Sequence, residues 1–262
     1  MSKRQSTLTS LIQAYFEEGY EVSVGVNPYR ENGPYSSFAT FYDINNRHPV
    51  TGAGIAIDEI YFFETLLSRL RPKNIYTIGV AMGWSLIAMG LICPDAVLWG
   101  IDNCTEGSQA DSRTGVELAK SIGQKLGLDM HITIGTSPYD IPISIPNNDT
   151  KVDLAFIDGL HTNAQIIKDF SVVHLYMNYS AVIVFHDVLN FKMYEGWQHI
   201  CYQAAKYGFN NTLLRRTASG MGVLYRNISV ELERDILSFY QHPKLFWPGA
   251  LPADYETIKL LM

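Results

Sequence analysis

Residues 75–85 read IYTIGVAMGWS, and this stretch decides the fold. An apolar run ends at Gly79, a turn with a second glycine at Gly83 follows, and an apolar, helix-like segment continues to Ile92. A strand that ends in a glycine turn and opens a helix is a cofactor site in α/β proteins, because glycine lets the backbone approach a ligand and the helix N-terminus offers free N–H groups. The predicted cofactor contacts in this turn are Gly79, Val80, Ala81, Met82, Gly83 and Ser85.

A second apolar run, LWGIDN at residues 98–103, contains a carboxylate at its end. An acidic residue that ends the strand after a glycine turn is placed to accept hydrogen bonds from ribose hydroxyls. Asp102 is therefore the predicted ribose contact, and Asn103 beside it is a further candidate for the cofactor site. Together the two stretches predict a site for a nucleoside cofactor.

The composition is that of an ordinary globular protein and narrows the function classes. The 262 residues are 47% hydrophobic and 18% charged, which supports a filled core. A net charge of −6 makes nucleic acid an unexpected partner. Three cysteines without CxxC spacing, and no signal-peptide pattern, indicate reduced thiols and a cytoplasmic protein. No apolar run is long enough to predict a membrane span.

Strand-like and helix-like segments alternate through the middle of the chain. Segments with helical spacing separate the predicted strands, which are residues 75–79, 97–101, 131–134, 152–157 and 181–185. The sequence TASG at residues 217–220 then joins two further apolar segments and is typical of a hairpin. This order predicts an α/β fold: a doubly wound, Rossmann-like sheet of seven mostly parallel strands that ends in an antiparallel hairpin, with helices on both faces.

The predicted α/β domain spans residues 55–228, with a segment on either side. Residues 1–54 combine an amphipathic helix with an aromatic-rich stretch of no clear period, and we expect a lid or an oligomer contact there. Residues 229–262 are predicted to be a helical, aromatic tail whose Phe246 and Trp247 pack on a neighbouring element or on a second subunit. The prolines in residues 138–150 predict a loop.

Two aspartates follow two of the buried strands at the same point. Asp158 comes directly after the run at residues 152–157, and Asp187 follows the next strand after His186. If the two strands are neighbours, both carboxylates and His186 lie around one point at the carboxyl edge of the sheet, where Mg²⁺ or a similar divalent ion suits their oxygen atoms. Glu106, in the loop after Asp102, is a candidate third ligand. Capping of the following turns, or contact with the cofactor, is the alternative use of these aspartates.

Five motifs occur in a fixed order from about residue 55 to residue 226: IGVAMGWS, LWGIDN, GTSPYDIP, VDLAFIDGLH and AVIVFHDV. This ordered set resembles class I S-adenosylmethionine-dependent methyltransferases, in particular the group of macrocin-type sugar O-methyltransferases and cephalosporin-hydroxylase-like proteins. The resemblance implies S-adenosylmethionine as cofactor, with Asp158 at its site and Ser137 or Tyr139 near the adenine. It also implies dependence on a metal and, as acceptor, a hydroxyl on a small metabolite or a natural-product sugar.

The sequence departs from the family pattern at three positions. Thr77 stands two residues before Gly79, where the family usually has an acid that contacts the methionine amino group. Leu160 and Asn163 replace the Asp and Tyr of the common DGDHxY motif. These changes alter the expected pocket, but Asp158 and His161 are both present.

The resemblance implies His161 as the general base, with His186 as a second candidate. A hydroxyl is a poor nucleophile toward a sulfonium methyl group until its proton is removed, and a histidine with a pKa near ~6.5 is suited to accept that proton. A metal would acidify the same hydroxyl. The alternative for His161 is a capping or packing role at the start of the following helix.

Three other functions fit parts of the sequence. A nicotinamide-dependent oxidoreductase also uses a glycine turn and a ribose-binding acid, but the turn GVAMG lacks the GxGxxG pattern that admits a pyrophosphate. A degenerate family member that binds the cofactor without catalysis would explain Thr77, Leu160 and Asn163. An iron-dependent hydroxylase would use the two aspartates and one histidine as iron ligands.

Overall fold

The computed structural model describes residues 6–24, 38–45, 49–105, 113–145 and 149–242. The strands are β1 (Tyr20–Ser23), β2 (Ala39–Asp43), β3 (Pro49–Gly54), β4 (Asn74–Ile78), β5 (Val97–Asp102), β6 (Met130–Ile134), β7 (Val152–Ile157), β8 (Met177–Phe185), β9 (Asn210–Leu214) and β10 (Met221–Arg226). The helices are α1 (Thr7–Glu17), α2 (Ile57–Leu70), α3 (Trp84–Ile92), α4 (Arg113–Lys125), α5 (Ile141–Ser144), α6 (Asn163–Tyr176), α7 (Tyr194–Ala205) and α8 (Val230–Leu237). None of these helices is long and apolar enough to cross a membrane.

The main sheet has seven strands among the described residues, in the order β6-β5-β4-β7-β8-β10-β9. The first five are parallel, and β10 runs antiparallel to both β8 and β9. The central strands are apolar on both faces; the last five residues of β8, for example, have no exposed surface. The predicted doubly wound sheet with a terminal hairpin is therefore confirmed. The strand order reverses between β4 and β7, and such a switch point opens a ligand crevice at the carboxyl edge.

Two apolar cores cover the two faces of this sheet. Side chains alternate along each strand, so Ile75 packs on the side of α1, α2 and α3, while Tyr76 packs on the side of α6 and α7. The segment of helical spacing predicted between the last two parallel strands is the helix α6. The predicted loop at residues 138–150 contains the one-turn helix α5, with a proline in its first turn, where its missing N–H does not matter.

The described part of the N-terminal segment packs into the first core. The Tyr15 hydroxyl donates a 2.7 Å hydrogen bond to the carbonyl of Met82, in the glycine turn, and its ring lies 5.4 Å from that of Trp84. Phe41 in β2 completes this aromatic group, with its ring 5.5 Å from that of Trp84. A lid or oligomer contact for residues 1–54 stays a prediction, and residues 25–37 and 46–48 lie outside the described residues.

Two expectations for this segment were incomplete. The aromatic stretch without a period contains the three-stranded antiparallel sheet β1-β2-β3. The predicted amphipathic helix does not bury all of its aromatic residues: 61% of Phe16 is exposed, while Leu11 and Tyr15 are fully buried. Leu8 and Ile12 of the same helix are partly buried against the first core. At the other end of the chain, Phe246 and Trp247 lie outside the described residues.

Replacement of Gly79 tests how tightly the turn is constrained. Gly79 has a φ of 83°, and a Cβ there would lie 2.0 Å from the carbonyl oxygen of Asp158. Gly127 has a φ of 69° and open space around it, so it serves as the matched control. Both alanine variants carry a left-handed backbone cost of about 1–2 kcal/mol, and only Gly79→Ala adds a backbone clash. In urea unfolding, we expect Gly79→Ala to lower the free energy of unfolding clearly more than Gly127→Ala. Equal losses of stability would contradict this packing.

Candidate active site

The glycine turn after β4 is held by the carboxylate at the end of β5. One oxygen of Asp102 accepts hydrogen bonds from the backbone N–H groups of Val80 and Ala81, each 2.8 Å long. The other oxygen accepts the N–H of Cys104, also at 2.8 Å. Asp102 is 7% exposed and therefore orients the turn from inside the protein. Its predicted contact with a ribose stays a prediction.

The predicted cofactor residues lie together, but most of them can offer only their backbone. The side chains of Val80, Met82 and Ser85 are buried. The N-cap residue of α3, Gly83, has no side chain that could cap the helix, so the first-turn N–H groups remain the natural contacts for a ligand. Asn103 is half-buried, and its side-chain oxygen accepts the N–H of Thr105 at 3.2 Å. Thr77 is fully buried in β4, and its hydroxyl has no hydrogen-bond partner among the described residues.

Ser137, predicted near the adenine, points to a buried carboxylate. Its hydroxyl donates to Asp169, and Gln165 donates to the same oxygen at 2.8 Å and to the Ser137 carbonyl at 3.0 Å. The second oxygen of Asp169 is buried and has no hydrogen-bond partner within the described ranges. Burial raises the pKa of Asp169 to about 6, although both hydrogen bonds lower it. Tyr139, the other adenine candidate, is 75% exposed.

The second cluster forms where β7 and β8 end. The two strands are neighbours in the sheet, as the sequence required, and they bring Asp158, His186 and Asp187 together. His161, from the loop before α6, completes the group. Its Nε2 lies 3.1 Å from Asp158 Oδ1 and 3.3 Å from Asp187 Oδ2. His186 Nδ1 lies 3.0 Å and 3.2 Å from the same two atoms. The predicted convergence is confirmed.

Local contacts fix the orientation of the two outer members of this cluster. Asp187 has a φ of 57°, and its Oδ1 accepts a 3.1 Å hydrogen bond from the side-chain amide of Asn190. The His161 ring stacks on Phe191, with ring centroids 4.4 Å apart. His161 is 28% exposed, so it is the member that a substrate can reach, while the His186 side chain is 5% exposed.

A fifth residue, Glu59, was missed by the sequence analysis. It lies in α2 with no exposed surface, and its Oε2 is 2.9 Å from His186 Nε2. The same carboxylate accepts the N–H groups of Ala56 and Ser219, each at 2.9 Å. Its signal in the sequence was a charged residue on the apolar stripe of a helix, four residues before the buried Phe63. The candidate third ligand, Glu106, lies outside the described residues.

The electrostatics of the cluster favour positive charge at its centre. Burial lowers the pKa of His186, but the carboxylates of Asp158, Glu59 and Asp187 together raise it well above its ordinary value. Burial also lowers the pKa of His161, and the hydrogen bond to Asp158 outweighs it, so that this pKa is raised as well. The two histidines hold the pKa of Asp158 well below its usual range despite burial, which raises it. The same field attracts a metal cation.

The residues present fit a divalent metal. Asp158, His161, His186 and Asp187 each offer one ligand atom, and the four atoms lie within 4.8 Å of one another. His186 Nδ1 is buried and finds no hydrogen-bond partner in the described part of the chain, although it faces two carboxylates. A buried polar atom without a partner requires an explanation, and a bound cation supplies one.

Asp169 makes a testable contribution to the pH dependence of stability. Its folded pKa of about 6 lies above the ordinary value of 3.8, so the folded protein binds this proton more tightly than the unfolded chain. The protonated Asp169 therefore stabilises the folded state below about pH 4. This stabilisation, of up to about 3 kcal/mol, is lost as the pH rises through about 6. In urea unfolding, Asp169→Asn should gain stability relative to wild type as the pH rises from 4 to about 8. The exposed control Asp95→Asn should not; identical curves for both variants would contradict the prediction.

Comparisons with known proteins agree with this geometry. Residues 77–188 match the family model of a methyltransferase domain. The caffeoyl-CoA O-methyltransferase of Mesembryanthemum crystallinum is 30% identical over 155 residues, which cover 57% of this chain and 56% of the relative. The chain thus aligns with little more than half of that relative's length. This relative is of the caffeoyl-CoA type, so membership in the sugar-methylating branch stays a prediction.

Solved structures share the fold at low identity. An O-methyltransferase from Bacillus cereus, in complex with S-adenosylhomocysteine, is 13% identical, with a TM-score of 0.56 over 86% of this chain and 93% of that one. An O-methyltransferase from Streptomyces achromogenes involved in tomaymycin synthesis, in complex with S-adenosylmethionine, is 18% identical, with a TM-score of 0.53 over 86% of this chain and 91% of that one. Residues 77–188 thus match a methyltransferase domain, and the chain shares the fold of these two O-methyltransferases.

Proposed function

We propose that this protein transfers the methyl group of S-adenosylmethionine to a hydroxyl group of a small molecule. One observation carries the proposal: the glycine turn and the histidine–aspartate cluster touch each other, because Gly79 packs directly against the backbone of Asp158. A cofactor held by the turn therefore ends beside His161. Such placement is what an in-line displacement needs, since the reaction depends on aligning the oxygen, methyl carbon and sulfur and on excluding water.

The chain's residues then have distinct tasks. His161 Nε2 takes the proton of the acceptor hydroxyl, and the oxygen attacks the methyl carbon as the bond from carbon to sulfur breaks. The products are the methyl ether, S-adenosylhomocysteine and a proton on His161. Asp158 Oδ1, 3.1 Å from His161 Nε2, stabilises the imidazolium that results. A divalent metal held by Asp158 and Asp187 would acidify the hydroxyl.

His186, the second candidate base, has a different place in this proposal. Its side chain is 5% exposed and its Nε2 is engaged by Glu59, so an acceptor hydroxyl does not reach it. We therefore assign the proton transfer to His161 alone.

The surroundings of His161 indicate the kind of acceptor. Phe191, stacked on His161, is 43% exposed, and Leu160, which precedes His161 in the chain, is 47% exposed. Exposed apolar walls next to a base suit an acceptor with a flat or apolar body that carries the hydroxyl. The name of the curated relative makes caffeoyl-CoA a first compound to test, with hydroxylated sugars as the second group.

Replacement of His161 tests this proposal. His161→Ala should reduce formation of S-adenosylhomocysteine from the best acceptor by about 10²–10⁴-fold, since it removes a general base. Its affinity for S-adenosylmethionine should stay within a few-fold of wild type, because the cofactor is held by the turn. His131 is 53% exposed and pairs with Asp129 at 2.8 Å, so His131→Ala is the matched histidine control.

Wild-type rates in the His161→Ala protein would contradict the assignment of the base. Binding of S-adenosylmethionine without transfer to either group of acceptors would instead support the alternative of a cofactor-binding member without catalysis.

A further inference from the structure

We propose that Glu59 makes His186 a metal ligand, so that the centre takes a first-row transition ion such as Zn²⁺ or Fe²⁺ in preference to Mg²⁺. Glu59 lies in α2, outside the domain at residues 77–188. The inference rests on the proposed metal at this cluster, but it concerns which ion binds and how the ligand is prepared. Both can be measured without the cofactor or the acceptor.

Glu59 fixes the position of the proton on His186. Its carboxylate is fully buried and already accepts two backbone N–H groups, from Ala56 and Ser219. A carboxylate in that environment acts as an acceptor, so His186 donates its Nε2–H across the 2.9 Å contact. In the neutral ring, the lone pair then lies on Nδ1. This is the carboxylate–histidine arrangement that orients metal ligands and raises their basicity.

The other ring nitrogen, Nδ1, points into the cluster. His186 Nδ1 lies 3.0 Å from Asp158 Oδ1 and 3.2 Å from Asp187 Oδ2, yet it forms no hydrogen bond with either. Phe156 and Phe38 pack edge-on against the ring, at 5.7 Å and 6.0 Å between centroids, so the ring has little freedom to turn away. The nitrogen is therefore held where a cation shared with the two carboxylates would sit.

The donor atoms decide the class of metal. Mg²⁺ prefers an octahedron of oxygen ligands and keeps several waters. An imidazole nitrogen on the buried side of the site, His186 Nδ1, suits Zn²⁺, Fe²⁺, Co²⁺ or Ni²⁺ better. The expectation of Mg²⁺ rested on the oxygen atoms of the two aspartates and on the family resemblance, before Glu59 and His186 were seen to act together.

The chain supplies a close control for Glu59. Asp58, its neighbour in the first turn of α2, accepts the N–H of Ala218 at 2.7 Å, just as Glu59 accepts that of Ser219. Both acids tie α2 to the same turn of the β9–β10 hairpin. Of the two, Glu59 is the one hydrogen-bonded to His186. If the two acids only stabilise the fold, both replacements should weaken metal binding alike. If Glu59 fixes the proton on His186, only Glu59→Gln should weaken it strongly.

The experiment measures metal binding by the full chain. Protein stripped with a chelator is titrated with Co²⁺, Zn²⁺ and Mg²⁺ alone, by calorimetry and by the visible absorption of bound Co²⁺. Wild type should bind Zn²⁺ and Co²⁺ at least about 100-fold more tightly than Mg²⁺, with a Co²⁺ spectrum typical of nitrogen ligation. Glu59→Gln should weaken Co²⁺ binding by about 10–100-fold, and Asp58→Asn by less than about 3-fold. Thermal unfolding of each variant reports its folding.

Three results would overturn the inference. They are Mg²⁺ binding as tight as that of Co²⁺, equal metal affinities in the two variants, and no metal binding by wild type. The wild-type measurements decide the question even if Glu59→Gln does not fold. Binding of S-adenosylmethionine is measured in the same metal-free protein. If the cofactor binds while the metal results fail, the metal inference is wrong and the proposed methyl transfer is not.

Discussion

The register of three adjacent parallel strands is the constraint on which the site depends. In β4, β7 and β8, Ile78 pairs with Ile157, and Ile157 pairs with Phe185. The residues that directly follow these three strands are Gly79, Asp158 and His186. The glycine turn, the first carboxylate and the buried histidine therefore lie side by side. A slip of one residue would send every side chain of a strand to the opposite face. The apolar packing on both faces prevents such a slip, and thereby sets the chemistry at the edge.

Because the cluster is buried, its charged groups must be paired with one another. Glu59, His186 and Asp187 are removed from water, and a buried charge is costly unless it is paired. The acids and imidazoles alternate, so each buried charge faces an opposite one. Glu59 is tied to the hairpin through Ser219, and α1 reaches the glycine turn through Tyr15. Elements on both sides of the matched domain therefore hold the site in place.

The sequence predicted those parts of the molecule that depend on local pattern. The strand–helix alternation, the hairpin and the shared edge of Asp158 and Asp187 follow from apolar runs and from the residues that end them. The sheet β1-β2-β3 was missed because its strands are short and their side chains do not alternate clearly; β2 is buried at three successive residues. Glu59 was missed because its partner lies 127 residues away in the chain, and no spacing rule reaches that far. The role of Asp102 in holding the turn likewise depends on tertiary contact with Val80 and Ala81.

Isothermal titration of the purified protein with S-adenosylmethionine and with NADH, with and without a divalent metal, tests the central claim most directly. The claim is that the turn held by Asp102 is a site for the methyl donor. We predict one site with micromolar affinity for S-adenosylmethionine and no measurable affinity for NADH, because the turn lacks the glycine pattern that admits a pyrophosphate. Absence of binding to S-adenosylmethionine under both conditions, or tighter binding of NADH, would contradict the account.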